Sequence, residues 1–235
     1  MTSCRRCSTT PVTAPCSAPA EEQSVTIDAA DLREMFDAIA VSIEADKDRL
    51  CQLDGVIGDA DHGIAMALGF SAVRDALAPL DLATTEPTAL LNTAAKSFLN
   101  AVGASSGPLY ATAFMRAAAA VKGKAQLSDA DVVALFQAMA QGIRDRGKAE
   151  IGEKTMIDAW LPAADAAGAA QAAGKTLSES LAAALAAAER GAQATKDMVA
   201  AKGRSSRLGE RSLGHIDPGA ASAVTVIDAM TRSLG

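Results

Sequence analysis

The sequence has 235 residues, of which 49% are hydrophobic and 21% charged, and its formal net charge is −6 at pH 7. A chain of this length forms one full domain with a sizeable core. The acidic balance argues against general nucleic-acid binding, which needs a concentrated basic surface. The longest uncharged stretch, residues 97–115, contains polar side chains and a Gly-Pro turn, so no membrane span is predicted.

Residues 1–27 are predicted to be a disordered N-terminal tail, and residues 28–235 to form one domain. The arginine pair in the tail is not followed by an apolar segment, so a secretion signal is not expected. Cys4 and Cys7 form a Cys-x-x-Cys pair without a second pair, which is a weak zinc pattern. The one cysteine of the predicted domain, Cys51, fits a reducing compartment, so we expect the protein in the cytoplasm.

Alanine is abundant and apolar residues recur at helical spacing, whereas aromatic residues make up only 3% of the chain. Leu32, Phe36, Ile39 and Ile43, for example, would share one face of a first helix. Amphipathic helices with short connections predict an all-α fold, a closed antiparallel barrel or bundle of eight helices. We expect these helices over residues 29–51, 63–79, 87–102, 108–122, 129–146, 154–168, 176–202 and 218–234.

The loop after the first predicted helix contains three carboxylates, those of Asp54, Asp59 and Asp61, among three glycines. These carboxylates repel one another unless a cation neutralises them. Oxygen ligands without a thiolate favour Mg²⁺ or Ca²⁺. An EF-hand is excluded because Phe70 stands where the bidentate Glu is needed. Magnesium shared with phosphate is therefore the better metal prediction, and a solvated turn before the next helix is the equal alternative.

The loop after the third predicted helix, Gly103 to Pro108, places Ser105 and Ser106 directly before a helix. Pro108 suits the first helical turn, where no amide hydrogen is needed. Free backbone amides and two hydroxyls at a helix start favour an anion such as phosphate. A plain helix start is the alternative interpretation of this loop.

The third and fourth polar loops are residues 147–156 and 202–219. The fourth is long for a bundle, and such loops are usually functional or disordered. Its three arginines can bind phosphate in fork geometry, or they can be ordinary surface charges. Alternate loops of an up-and-down bundle lie at the same end, so all four polar loops are expected at one rim. Their convergence predicts a metal–phosphate site.

Four motifs together resemble the nucleotide-binding L subunit of dihydroxyacetone kinase. The resemblance covers the chain from about residue 30 to the C-terminus, and all four motifs occur in order. It implies a closed barrel of eight antiparallel helices, in agreement with the helix count above. The motifs are Gly-Asp-Ala-Asp-His-Gly (58–63), Gly-Ala-Ser-Ser-Gly-Pro-Leu-Tyr (103–110), Gly-Lys-Ala-Glu-Ile-Gly-Glu-Lys-Thr-Met (147–156) and Gly-Glu-Arg-Ser-Leu-Gly-His-Ile-Asp-Pro-Gly-Ala (209–220).

The resemblance implies that Asp54, Asp59 and Asp61 hold two Mg²⁺ ions that bridge the phosphates of ADP or ATP. No nucleophile is expected on this chain, because phosphoryl transfer needs positioning and charge neutralisation. Ala104 and Arg207 depart from the family pattern, and so does Ala65, where Asn is common. The implied nucleotide contacts are His62, Gly63, Ile64, Ala65, Ser105, Ser106, Gly147, Met156, Arg204, Asp217, Pro218 and Gly219.

The resemblance also implies a phosphotransferase subunit that is active only with a partner. It would present the γ-phosphoryl group to dihydroxyacetone, or a similar short ketose, held on a separate K subunit. Either a phosphotransferase-system M subunit recharges the bound ADP from phosphoenolpyruvate, or free ATP exchanges; His62 favours the first scheme. A homodimer is a further option, and neither nucleic acid nor a membrane is an expected partner.

Two other functions stay open at this point. One is the related nucleotide-binding domain of fatty-acid kinases, which shares the aspartate motif. That domain is normally fused to further C-terminal domains, whereas this sequence ends just after its last predicted helix, which favours the ketose kinase. The other is an interaction protein that engages a transcriptional regulator.

Overall fold

The structure is a computed structural model that describes Met1 and residues 26–235. The predicted tail therefore lies almost wholly outside the described residues. Residues 26–235 contain one isolated bridge, between Ile27 and Leu127, and no longer strand. Their eight α-helices are α1 (Ala29–Ile57), α2 (His62–Leu77), α3 (Pro87–Ala101), α4 (Ser106–Ala120), α5 (Asp129–Gly147), α6 (Ile157–Ala172), α7 (Leu177–Ala194) and α8 (Pro218–Leu234).

The helices form a closed ring. Each helix packs against the next one in the chain, and α8 packs back against α1. The connections between consecutive helices from α1 to α7 are short, which makes these neighbours antiparallel. The predicted all-α barrel is therefore confirmed. None of the helices among the described residues combines the length and the apolar character that crossing a membrane requires.

The inside of the ring is a packed core rather than a channel at the level of its aromatic rings. Phe70 and Phe98 meet edge to face with ring centroids 5.0 Å apart, and Phe36 and Phe114 do so at 5.2 Å. This geometry suits the ring quadrupoles. Trp160 is also fully buried. The remaining buried helix faces are rich in alanine and leucine, as the apolar spacing predicted.

Side-chain caps define several helix starts. Asp28, Ser128 and Thr176 each form a capping box at the start of α1, α5 and α7. Asp217 caps α8 by accepting the backbone N–H of Ala220 at 2.7 Å. These caps fix the ends of the helices, and with them the loops between helices.

Several helix boundaries differ from the predicted ones, by three to eight residues. Helix α1 continues beyond residue 51 to Ile57, because Ile57 extends the buried stripe and a helix tolerates a single glycine at a cost of about 1 kcal/mol. Helix α6 begins at Ile157 rather than residue 154, because Lys154 has a φ of 58°, which no α-helix accommodates. Helix α7 ends at Ala194 rather than residue 202.

Contacts distant in sequence cause the early end of α7. The hydroxyl of Thr195 donates to the carbonyl of Ala192 at 2.6 Å and accepts the N–H of Asp217 at 2.9 Å. Two 3-10 helices follow, Thr195–Asp197 and Ser205–Ser212. A further correction concerns Ile27, which is buried and pairs with Leu127 although it was assigned to the tail.

Candidate nucleotide and metal site

Four loops surround a pocket of about 390 Å³ at one end of the barrel. They are the connections α1–α2, α3–α4, α5–α6 and α7–α8, the four that were expected to share a rim. Ligand pockets of a few hundred cubic ångströms hold small organic molecules. Among the described residues, the other three connections contribute nothing to the pocket wall.

A carboxylate cluster lies at one side of this pocket. Asp54, Asp59 and Asp61 each offer one oxygen, and these three oxygens lie within 4.8 Å of one another. Asp54 is buried, whereas the other two are exposed. Ala60 between them has a φ of 64°, a left-handed conformation that lets both flanking carboxylates face the same side. Three hard oxygen donors without sulfur or imidazole fit Mg²⁺.

Asp54 also holds the start of α2 in place. It lies in the last turn of α1, and its Oδ2 accepts the backbone N–H of Asp61 at 3.0 Å and of His62 at 3.2 Å. Asp54 thereby caps the start of α2 from the preceding helix. Gly58 must lack a side chain, because a Cβ there would overlap Oδ1 of Asp54. Oδ1 accepts no hydrogen bond from the described residues and is the oxygen left for a cation.

Arg204 faces the same cluster from the α7–α8 connection. Its guanidinium pairs with Asp59 and lies 3.6 Å from a carboxylate oxygen of Asp61. A divalent ion would therefore compete with Arg204 for these oxygens. A phosphate group would offer the guanidinium a bidentate alternative.

The start of α4 forms another side of the pocket. Ser105 and Ser106 line it, and the first amides of a helix lack partners within the helix. The hydroxyl of Ser106 is buried and has no hydrogen-bond partner among the described residues. Gly107 allows the tight approach, because a Cβ there would collide with the carbonyl oxygen of Val102. A phosphate oxygen would satisfy both the hydroxyl and the helix start.

His62 is held at the pocket edge by Ser222. Its Nε2 lies 2.9 Å from the Ser222 hydroxyl, which itself donates to the carbonyl of Gly219 at 3.0 Å. The hydroxyl hydrogen is thus used, so Nε2 of His62 is the donor and Nδ1 is the free acceptor. Burial lowers the pKa of His62, which favours this neutral ring.

The pocket floor near α8 contains a buried carboxylate. Burial raises the pKa of Asp217 to about 7. The hydrogen bond from the N–H of Ala220 and the positive charge of Lys154 act in the opposite direction, but burial is the larger effect. Gly219 beside it packs against the α5–α6 loop, since a Cβ there would be in van der Waals contact with that of Met156, at 3.5 Å. The third and fourth loops therefore meet at this point.

The predicted metal and nucleotide residues line the pocket with two exceptions. Gly63 is buried against α1, where a Cβ would collide with the carbonyl oxygen of Lys47. Ile64 directs its side chain to solvent and is 58% exposed. Neither belongs to the pocket wall. All twelve residues stay predicted nucleotide contacts.

Sequence reasoning missed several wall residues. Ile143 was assigned to an apolar helix face, because a pocket wall and a core face have the same spacing. Lys154 gave no signal, since a buried lysine is not distinguishable from a surface lysine by residue type. The missed wall residues are Ala104, Pro108, Leu109, Ile143, Arg146, Ala149, Lys154, Thr155, Ile157, Lys202, Gly203 and Ser205.

Comparisons with known proteins agree with this geometry. A family model described as the DAK2 domain matches residues 56–232. The chain is 35% identical over 210 residues to "PEP-dependent dihydroxyacetone kinase 2, ADP-binding subunit DhaL" of Listeria innocua. The matched region covers 89% of this chain and 97% of that one. It is 42% identical over 175 residues to the PEP-dependent dihydroxyacetone kinase ADP-binding subunit DhaL of Escherichia coli, across 74% and 82% of the two chains.

A solved structure has the same fold. The crystal structure of the dihydroxyacetone kinase of C. freundii in its native form matches with a TM-score of 0.68 and 26% identity. The match covers 97% of this chain and 38% of that longer chain.

Proposed function

The chain belongs to the DAK2-domain family, and from this premise we propose that it is the ADP-binding subunit of a dihydroxyacetone kinase. The observation that carries the proposal is the meeting of Asp54, Asp59 and Asp61 with Arg204 and the Ser105–Ser106 helix start at one pocket. Carboxylates for a cation and cationic and amide donors for an anion are what a metal–diphosphate ligand requires.

The pocket wall combines charged and apolar side chains, and in this proposal they orient the nucleotide. The carboxylates of Asp59 and Asp61 lie beside Arg204, and we assign the phosphates to this group. Leu109, Ile143 and Met156 offer apolar surface for a base. With this orientation the terminal phosphate lies at the exposed aspartates rather than in the core.

Asp54, Asp59 and Asp61 would hold Mg²⁺, which when bound neutralises phosphate charge during phosphoryl transfer. The chain's own residues bind and orient the nucleotide. Arg204 offers fork-shaped donors to the phosphates, and Ser106 offers a buried hydroxyl that has no partner in the part of the chain that the structure describes. Phosphoryl transfer needs in-line positioning more than covalent chemistry, so no side chain of the pocket has to act as a nucleophile.

The acceptor and the donor are supplied by other chains in this proposal. The ketose is held on a K subunit that docks over the pocket, and ADP remains bound and is recharged from phosphoenolpyruvate by an M subunit. The Listeria and Escherichia relatives are named as subunits of PEP-dependent kinases, which supports this donor.

Two measurements test the proposal. Calorimetric titration of the chain with ADP should show binding that depends on Mg²⁺. Reconstitution with a K and an M subunit should give dihydroxyacetone phosphorylation with phosphoenolpyruvate and little with free ATP. No ADP binding in the presence of Mg²⁺ would refute the nucleotide assignment. Full turnover on ATP without an M subunit would refute the donor assignment alone.

A further inference from the structure

Lys154 is a buried cation in the wall of the pocket. It is 1% exposed and lies in the α5–α6 loop, in a left-handed conformation with φ 58°. An ammonium buried to this degree is costly unless its donors are matched. No carboxylate of the described residues lies within ion-pair distance of it. The charges of Asp217, Asp158 and Asp197 act on it from beyond that distance.

The Lys154 ammonium donates instead to two backbone carbonyls. One belongs to Thr195, directly after α7, and the other to His215, two residues before the first residue of the Asp217–Gly219 segment. Neither carbonyl lies in the α5–α6 loop. Lys154 thus joins this loop to both ends of the α7–α8 connection.

Both carbonyls belong to segments next to Asp217, the residue that caps α8. Thr195 accepts the N–H of Asp217 through its hydroxyl at 2.9 Å, and Asp217 in turn accepts the N–H of Ala220 at 2.7 Å. In the α5–α6 loop, Met156 follows Lys154 by two residues and packs against Gly219. The hydrogen bonds of one ammonium therefore define the spacing between two pocket walls.

We propose that Lys154 is a positioning residue of the nucleotide site, which clamps the wall containing Met156 onto the wall formed by Asp217–Gly219. Its ligand class is that of the pocket, a nucleoside diphosphate, so the inference rests on the proposed function. Without the ammonium, the buried carbonyl of Thr195 and the partly buried carbonyl of His215 lose their donor, and the two walls separate to reach water. The effect on the nucleotide is indirect, because Lys154 acts through Thr195 and His215.

Calorimetric titration of ADP in the presence of Mg²⁺ tests the clamp. Lys154→Met should bind ADP about 10- to 100-fold more weakly, as expected when a residue that orients binding groups is lost. Thr195→Val should weaken binding in the same direction. In a double-mutant cycle the two losses should not add, because both variants release the same segment.

Two control variants separate positioning from stability and charge. Lys148→Met removes a lysine from the same loop, also with a positive φ of 49° but with an exposed side chain, and should leave ADP affinity unchanged. Leu77→Ala removes buried volume at the far end of α2. It should lower the thermal midpoint and leave ADP affinity within about twofold, because cavity effects are local in the core.

Each outcome decides the proposal. Unchanged ADP affinity in folded Lys154→Met overturns it, and so does additivity with Thr195→Val. If circular dichroism shows Lys154→Met to be unfolded, Lys154→Ala, which leaves room for water at the two carbonyls, decides, and wild-type affinity in that variant overturns the clamp. Failure of the wild-type chain to bind ADP would overturn the proposed function and the clamp together. If the wild type binds ADP and the Lys154 variant binds it equally well, only the clamp is overturned.

Discussion

Replacing Asp217 by Asn should change how the stability of the barrel depends on pH. The carboxylate of Asp217 is buried, and burial raises its pKa from 3.8 to about 7. Asn has nearly the same shape, keeps an oxygen that can accept the N–H of Ala220, and does not titrate. The variant therefore removes the ionisation and keeps the cap of α8.

The sign follows from proton linkage. Between pH 3.8 and about 7 the folded protein holds a proton on Asp217 that the unfolded chain releases. The contribution of Asp217 to the free energy of unfolding is therefore fully present below pH 3.8, and it is lost as pH rises through about 7. A pKa difference of about three, at about 1.4 kcal/mol for each unit of pKa, corresponds to a loss of about 4 kcal/mol. For a chain of this size that is about 10 °C in the thermal midpoint.

Urea unfolding of both proteins between pH 4 and pH 8 measures this difference. The free energy of unfolding of the wild type should fall relative to Asp217→Asn as pH rises, and most of the change should occur between pH 5 and 7. Asp28→Asn, the same substitution at the cap of α1, controls for the loss of a cap carboxylate. A constant difference between wild type and Asp217→Asn over this range would refute the argument from burial.

Three further predictions concern the pocket and its support. Asp59→Asn should weaken Mg²⁺-dependent ADP binding by about fivefold to nearly a thousandfold, since a unit charge at 4 Å is worth about 1–4 kcal/mol. Asp75→Asn on α2 is the control, and equal affinities would contradict the metal assignment. Arg204→Ala should raise the affinity for Mn²⁺ alone by a few-fold, because a competing exposed ion pair of about 0.2–1 kcal/mol is lost. The same variant should lower ADP affinity in calorimetry. If the affinities for Mn²⁺ and for ADP changed in the same direction, Arg204 would not exchange the aspartates for phosphate. Gly63→Ala should lower the free energy of unfolding by about 1–3 kcal/mol or more, because its Cβ meets the backbone of α1. Gly103→Ala meets only open space, so a similar loss there in thermal unfolding would speak against a steric cause.

The sequence could predict the helices because their determinants are local. The spacing of Leu32, Phe36 and Ile39 and the capping box at Ser128 act within a few residues. The end of α7 was not predictable in this way. Its alanine-rich sequence continues to favour helix, and the chain departs only because Thr195 is needed by Asp217, 22 residues later.

The site was predictable in outline for a topological reason. Alternating helix directions bring every second loop to the same end, so the Asp54–Asp61 loop and Arg204 could be placed together from helix count alone. The same argument says nothing about orientation along a helix. It therefore could not show that Gly63 faces α1, or that Lys154 turns inward to two carbonyls. Burial of a charged residue depends on tertiary contacts that residue type does not encode.

The pocket wall comes from only one end of the barrel, and this has a practical consequence. The connections on the opposite pole, 78–86, 121–128 and 173–176, contribute nothing to the wall among the described residues. A fluorophore, an affinity handle or a surface tether attached to the 78–86 turn would therefore leave the mouth of the pocket open. The molecule could be immobilised upright, with its binding face directed away from the support and free to meet other subunits in solution.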